Sequence, residues 1–338
     1  MRVDENTVVV ITGASGGVGR ATARLLAQRG AKLALLARGR EGLEGAQREV
    51  EELGGRALVL PTDVSQAEEV EAAAWAAEHE LGPIDVWVNN AMVSLYSPFA
   101  EMSVDEFRHV VEVTFLGNVY GTHAALRRMR QRDRGVVIQV GSALAFRSIP
   151  LQSAYCASKH AIVGFTESVR SELMHDGSHV RLTNVHMPAL NTTQFGWTKN
   201  KMEKKVRPAG RIFQPEVAAE AILFAIEHDR RAIKVGYTTL EATLGEKVIP
   251  GLLDRHLART AWDGVLLPEE KNADEPDNFW EPVRADRGAH GNFDRVAWNK
   301  SPSLWLSEHR LLLGGAALAG IAALARVFLG NSSRSVWG

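Results

Sequence analysis

The chain has 338 residues, and 39 Lys and Arg set against 40 Asp and Glu leave a formal net charge of −1. That length can bury a large core, as one big α/β domain or a domain with an appendage. The near-neutral charge removes any general reason to expect a nucleic acid or other polyanion as partner. The single cysteine, Cys156, excludes an intrachain disulfide framework and fits a reducing compartment; it reads as a small buried residue. Acids in the opening MRVDENTVVVITG stand where a secretory leader needs an apolar core, which predicts a cytoplasmic location.

In chain order, Thr7–Thr12 (TVVVIT) is a continuous β-branched run, the pattern of a strand buried on both faces. A glycine-rich turn, Gly13–Gly19, leads into a helical pattern through Arg20–Arg29. Lys32–Ala37 predicts a second strand, Glu41–Leu53 a helix and Arg56–Leu60 a third strand. A helix over Ala67–Leu81, a strand at Ile84–Val88 and one long helix over Val104–Arg130 follow. Then come a strand at Gly135–Val140, a helix at Ser153–His175 and a strand at His179–His186. A helix at Pro215–His228 and a short strand at Ala232–Val235 end the series. This alternation predicts an α/β class, a doubly wound parallel sheet (Rossmann fold) with helices on both faces, over residues 1–240.

Past about residue 240 the character changes. Residues 268–303 scatter Pro, Asp, Asn and Gly around Trp280 and Trp298, with Trp305 just beyond. Residues 241–305 therefore read as an irregular extension lying over the core, because its tryptophans need cover; a flexible linker is the other reading. Leu311–Ala325 is uninterrupted and apolar and runs on past Arg326 to Leu329, which predicts an apolar C-terminal helix over 306–330. It is short for a span of roughly 20 residues. Packing against the body or a partner subunit is one reading, and a membrane-seeking tail over 311–329 with Arg310 and Arg326 snorkelling is the other.

The turn Thr12-Gly13-Ala14-Ser15-Gly16-Gly17-Val18-Gly19 sits between the first strand and the first helix. Glycines there let backbone N–H groups approach a pyrophosphate, and the helix N-terminus adds partial positive charge. Glycines also mark ordinary turns; the placement is what favours a dinucleotide. Gly13, Ser15, Gly17, Val18 and Gly19 are the candidate contacts. Strand two ends at Ala37-Arg38 with no acid to accept from a ribose hydroxyl. A guanidinium can grip a 2′-phosphate, so Arg38 favours NADP(H) over NAD(H). A plain surface charge is the other reading, with Arg40 close by.

Gly141-Ser142 ends the fifth strand, and Tyr155 and Lys159 share one helix face at i and i+4. An unperturbed tyrosine, with pKa about 10, is too weak a base near neutrality. An adjacent ammonium would favour the phenolate and lower that value. Ser142 is placed to bond a reacting oxygen.

Together these residues resemble the classical branch of the short-chain dehydrogenase/reductase superfamily, over roughly residues 5–240. The resemblance rests on TGASGGVG, Asp63-Val64, Asn89-Asn90-Ala91 and Ser142…Tyr155xxxLys159. It implies reversible hydride transfer between a nicotinamide cofactor and a carbonyl or alcohol. By the same resemblance Asp63, beside Val64, contacts adenine. Asn89 and Ala91 border the cofactor, Lys159 also holds the nicotinamide ribose, and Pro188 and Thr192 lie near the nicotinamide. The basic run Lys199–Arg207 resembles the family's substrate lid in its position after strand six, with Phe195 and Trp197 just ahead of it as walls of a small or lipophilic substrate's site; a solvated basic face is the plainer reading. Homo-oligomers are common in the family, through the two long helices.

Three positions depart from the pattern: Met92 and Ala189 stand where glycines are usual, and Thr114 stands where the fourth catalytic residue is usually asparagine. Thr114 keeps a carbonyl and a hydroxyl for the water relay to the lysine, and Asn118 does not align to the role. Gly16 alone also fits the extended branch, so isomerase or dehydratase chemistry is one alternative. A nucleotide-binding regulatory or interaction protein with reduced turnover is the other. No histidine or cysteine spacing resembles a metal site; His175 and His179 lie across a helix end.

Overall fold

The computed structural model describes residues 1–272 and 275–309. β-Branched and leucine-rich runs become seven parallel strands: β1 (Val8–Thr12), β2 (Lys32–Ala37), β3 (Arg56–Pro61), β4 (Val86–Asn89), β5 (Val136–Ser142), β6 (Arg181–Met187) and β7 (Ala232–Lys234). Their spatial order is β7-β6-β5-β4-β1-β2-β3. Ile11 sits between Leu35 and Val88, and Val88 opposite Ile138, so apolar side chains line up across the middle of the sheet. The winding reverses between β1 and β4, which opens a crevice beyond the carboxyl ends of the strands.

One face is covered by α1 (Gly17–Ala27), α2 (Arg40–Glu52) and α7 (Pro215–Glu227), which bury Leu26, Leu43, Val50 and Ile222. The other is covered by α3 (Ala67–Leu81), α4 (Val104–Val111), α5 (Gly117–Met129) and α6 (Ser153–His175), through Val70, Val110, Met129 and Leu173. The single helix expected over Val104–Arg130 is interrupted. Glu112–Leu116 forms a wide π-type turn between α4 and α5. Asn118 Nδ2 donates to the Thr114 carbonyl at 2.9 Å, side-chain satisfaction of a group the altered ladder handles differently.

The extension is more ordered than its composition suggests. It begins with α8 (Tyr237–Val248) and α9 (Pro250–Gly264), and a strand at Leu266–Glu270 pairs antiparallel with Lys204–Val206. Residues 275–301 then run as a strap across the crevice to α10 (Pro302–Glu308). Cover for the tryptophans is not its purpose: Trp280, Trp298 and Trp305 stay 47, 45 and 52% exposed, and Phe279 is the residue fully buried. No described helix is long and apolar enough to cross a membrane, and the stretch from Leu311 onward lies outside the described residues.

Candidate active site

The crevice is a continuous groove of three adjoining parts. Its first part, about 110 Å³, is lined by Ser15, Arg38, Asp63, Val64 and Ala91. The second, about 160 Å³, holds Gly17, Val18, Asn90 and Thr192. The third is a cavity of about 420 Å³ with Ser142, Tyr155, Lys159, Pro188 and Phe195 in its walls. Gly13, Ser15 and Ala91 are common to the first two parts, and Val18, Asn90 and Thr192 to the last two.

Close backbone approach shapes the glycine turn. Gly13 has φ +68°, and a Cβ there would stand 2.9 Å from the Ala91 Cα; a Cβ on Gly19 would collide with the Gly13 carbonyl. Gly19 therefore packs helix against turn without lining the groove. The Thr12 hydroxyl accepts from the N–H groups of Asn90 and Ala91 at 2.9 and 3.0 Å, which ties the β1 and β4 loops together. A turn that only glycines fit, ahead of a helix N-terminus and beside an elongated groove, suits a dinucleotide.

Ser142, at the end of β5, accepts from the Leu144 N–H at 3.1 Å. Tyr155 opens α6 and Lys159 lies one turn on, its Nζ 5.5 Å from the Tyr155 ring centroid and donating to the Val140 carbonyl at 2.8 Å. Burial pushes the Tyr155 pKa up, against the lowering by its hydrogen bond with Ser142. Burial pushes Lys159 down to about 8, so its ammonium is itself weakly held. His186, on β6, is driven down to about 3 by burial and then by the Lys234 and Lys159 charges, and is neutral.

Several expected residues sit elsewhere. Asn89 faces inward, donating to the Asn118 carbonyl and the Thr122 hydroxyl and accepting from Trp87 Nε1; the neighbour that reaches the groove is Asn90. Thr114 is fully buried; its hydroxyl donates to the Val93 carbonyl and accepts from the Val93 N–H, and its carbonyl accepts from Asn118 Nδ2. Trp197 lines the first two parts of the groove, away from the catalytic cavity that Phe195 does line. Arg38 lines the groove but donates to the strap carbonyls of Asn278, Phe279 and Trp280. The basic run is no solvated face at its start: Lys199 and Lys201 pair with Glu106 at 3.1 and 2.7 Å.

Other residues of the groove carry no local signal in the sequence. Leu253 and Leu257, from α9, roof the catalytic cavity, and Arg147 ties that roof down through Glu246 on α8 and Asp254 on α9 at 2.6 and 2.5 Å. Met92, which the sequence marks by standing where glycine is usual, lines all three parts.

The short chain dehydrogenase family profile matches residues 7–204. YxnA of Bacillus subtilis, an uncharacterized oxidoreductase, is 32% identical over 326 residues, 95% of this chain and 90% of its own. Dehydrogenase/reductase SDR family member 7 of Homo sapiens is 40% identical over 170 residues, 49% of this chain and 50% of its own. Among solved structures, an alcohol dehydrogenase of the archaeon Thermococcus sibiricus, complexed with 5-hydroxy-NADP, superposes with a TM-score of 0.58 at 31% identity, covering 68% of this chain and 94% of that one. A metagenomic short-chain oxidoreductase in complex with NADP gives 0.59 at 26% identity, with 69 and 98% coverage. The chain belongs to the short-chain dehydrogenase/reductase family, as a nucleotide-binding oxidoreductase of its classical type. The catalytic class is an enzyme acting on a carbonyl or alcohol with a nicotinamide dinucleotide.

Proposed function

We propose that the chain reduces a lipophilic aldehyde or ketone with NADPH, or oxidises the matching alcohol with NADP. The observation that carries this reading is that Ser142, Tyr155 and the buried Lys159 one turn on share the wall of one cavity, lined also by Leu144, Ile149, Leu253 and Leu257. The bound nicotinamide would supply the hydride. Ser142 would hold the carbonyl oxygen, and Tyr155 would deliver the proton that completes the hydroxyl. A high phenol pKa suits that donor role, and Lys159 and the positive charge of an oxidised ring would lower it for the reverse direction. Phe195 would press on the apolar part of the substrate, while Trp197 belongs with the nucleotide.

Gly13, Ser15, Gly17, Val18 and Thr192 would line the diphosphate and nicotinamide, Asp63, Val64 and Ala91 the adenosine, and Pro188 the ring. NADP(H) is favoured because Ala37 leaves no acid for a ribose hydroxyl and Arg38 lies in the groove wall. The NADP and 5-hydroxy-NADP named for the two solved neighbours agree with that choice. Two measurements test it. Tyr155→Phe is expected to lose turnover by roughly a thousandfold or more while still binding nucleotide; retained turnover would sink the assignment. Calorimetry on the wild type is expected to show NADPH bound at least about tenfold more tightly than NADH; equal affinities would count against the phosphate preference.

A further inference from the structure

We propose that the strap, residues 278–288, is the outer wall of the nucleotide site and a gate that must open to admit or release the dinucleotide. The inference rests on the dinucleotide reading above and adds a part of the chain that the family profile, ending at residue 204, does not reach.

Asn278, Pro282, Val283 and Ala285 face Ser15, Arg38, Gly39 and Asp63 across the first part of the groove. A ligand lying there is therefore bounded by strap on one side and by the β1, β2 and β3 loops on the other. Arg38 joins the two walls, since it lines the groove while its guanidinium donates to three successive strap carbonyls, that of Trp280 at 2.7 Å.

The strap is anchored on both sides of this stretch. Phe279 is fully buried; its carbonyl accepts from His109 Nε2 at 2.8 Å, and the Lys199 ammonium stands 5.2 Å over its ring. Asp286 pairs through both oxygens with Arg20, whose guanidinium is almost wholly buried, at 2.8 and 3.2 Å. Beyond it the Gly288 carbonyl accepts from the Gly17 N–H at 3.3 Å, at the N-terminus of α1. Ala289 is buried against Ala21 and Ala219, and Asp294 accepts from Asn191 Nδ2 at 2.8 Å.

The sequence of α2 fits this role. Gly45 lies inside α2, where glycine is less favourable than alanine. A Cβ there would collide with the Asp286 carboxylate and stand 3.0 Å from Arg20 Nη2. The glycine thus keeps open the place where the strap is fastened.

The test uses the full chain and stopped-flow nicotinamide fluorescence. Asp286→Ala removes the clasp, and Phe279→Leu loosens the plug with little change in polarity; thermal melts check that both fold. Release of NADPH is expected to quicken by about tenfold or more in each, with NADH quickened alike, because the gate covers the part common to both. Limited proteolysis should cut the strap more slowly in wild type saturated with NADPH than without it. Release rates within about twofold of wild type in both folded variants, or cleavage indifferent to NADPH, would overturn the proposal. A wild type that binds neither nucleotide would overturn this inference and the reading beneath it together.

Discussion

Glu106 gathers three partners from two segments on one carboxylate. It accepts from the Ser103 N–H at 2.7 Å to cap α4, and it pairs with Lys201 and Lys199. Burial raises its pKa, but the Lys201 bond, the cap and Lys199 outweigh that and bring it down to about 2. A folded-state pKa below the ordinary value of 4.5 means stability that is present above pH 4.5 and lost as the pH falls towards 2. Glu106→Gln is therefore expected to cost about 2 kcal/mol at neutral pH, with the gap to wild type closing through that acid window in a pH series of denaturant melts. A gap independent of pH would contradict the pairing. Lys159 makes a kinetic prediction at the same scale. If its charge tunes Tyr155, the kcat/KM profile should show an ionisation near pH 8 that Lys159→Arg moves upward, because a guanidinium stays charged there. An unmoved limb would assign that ionisation to another group.

Among the elements, the strands and most helices follow their local patterns. β1 and β4 are mostly apolar, and β5 is interrupted in its middle only by Gln139, because both faces of a parallel sheet are covered. The interruption at Glu112–Leu116 escapes such reading, since a wide turn keeps helical periodicity on either side of it. What places α5 is a set of close approaches from its glycines: a Cβ on Gly117 would stand 2.8 Å from Val64 Cγ2, and one on Gly121 would collide with Asn89 Oδ1. Gly121→Ala should accordingly break the 2.8 Å bond from Trp87 Nε1 to Asn89 and destabilise the fold by roughly 1–3 kcal/mol. Denaturant unfolding measures it, and a neutral result would show that α5 can shift freely. The family resemblance singled out the Asn89-Asn90-Ala91 segment, but which asparagine faces the groove depends on how α5 packs beneath it.

For the whole molecule, the decisive addition is what residues beyond 240 do. They roof the cavity that holds Ser142, Tyr155 and Lys159 with α9, and they line the first part of the groove with the strap. A composition-based reading gives the anchoring to tryptophan, the bulkiest residue, whereas packing gives it to Phe279. Phe279→Ala should cost roughly 3–5 kcal/mol and Trp280→Ala, half exposed, about 1 kcal/mol or less. Equal losses in denaturant melts would mean the strap is held by something other than its plug.

By itself the sequence determined the βα alternation, the glycine turn and the ordered Ser142, Tyr155 and Lys159, because each is written in local period or short spacing. Tertiary structure alone decided that Arg38 donates to carbonyls some 240 positions away and that Trp197 lines the first two parts of the groove and not the cavity of Ser142 and Tyr155. It also decided that Thr114 holds Val93 and that burial raises the Tyr155 pKa. Those facts depend on which surfaces meet and on how much water they exclude, and no local pattern along a chain encodes either.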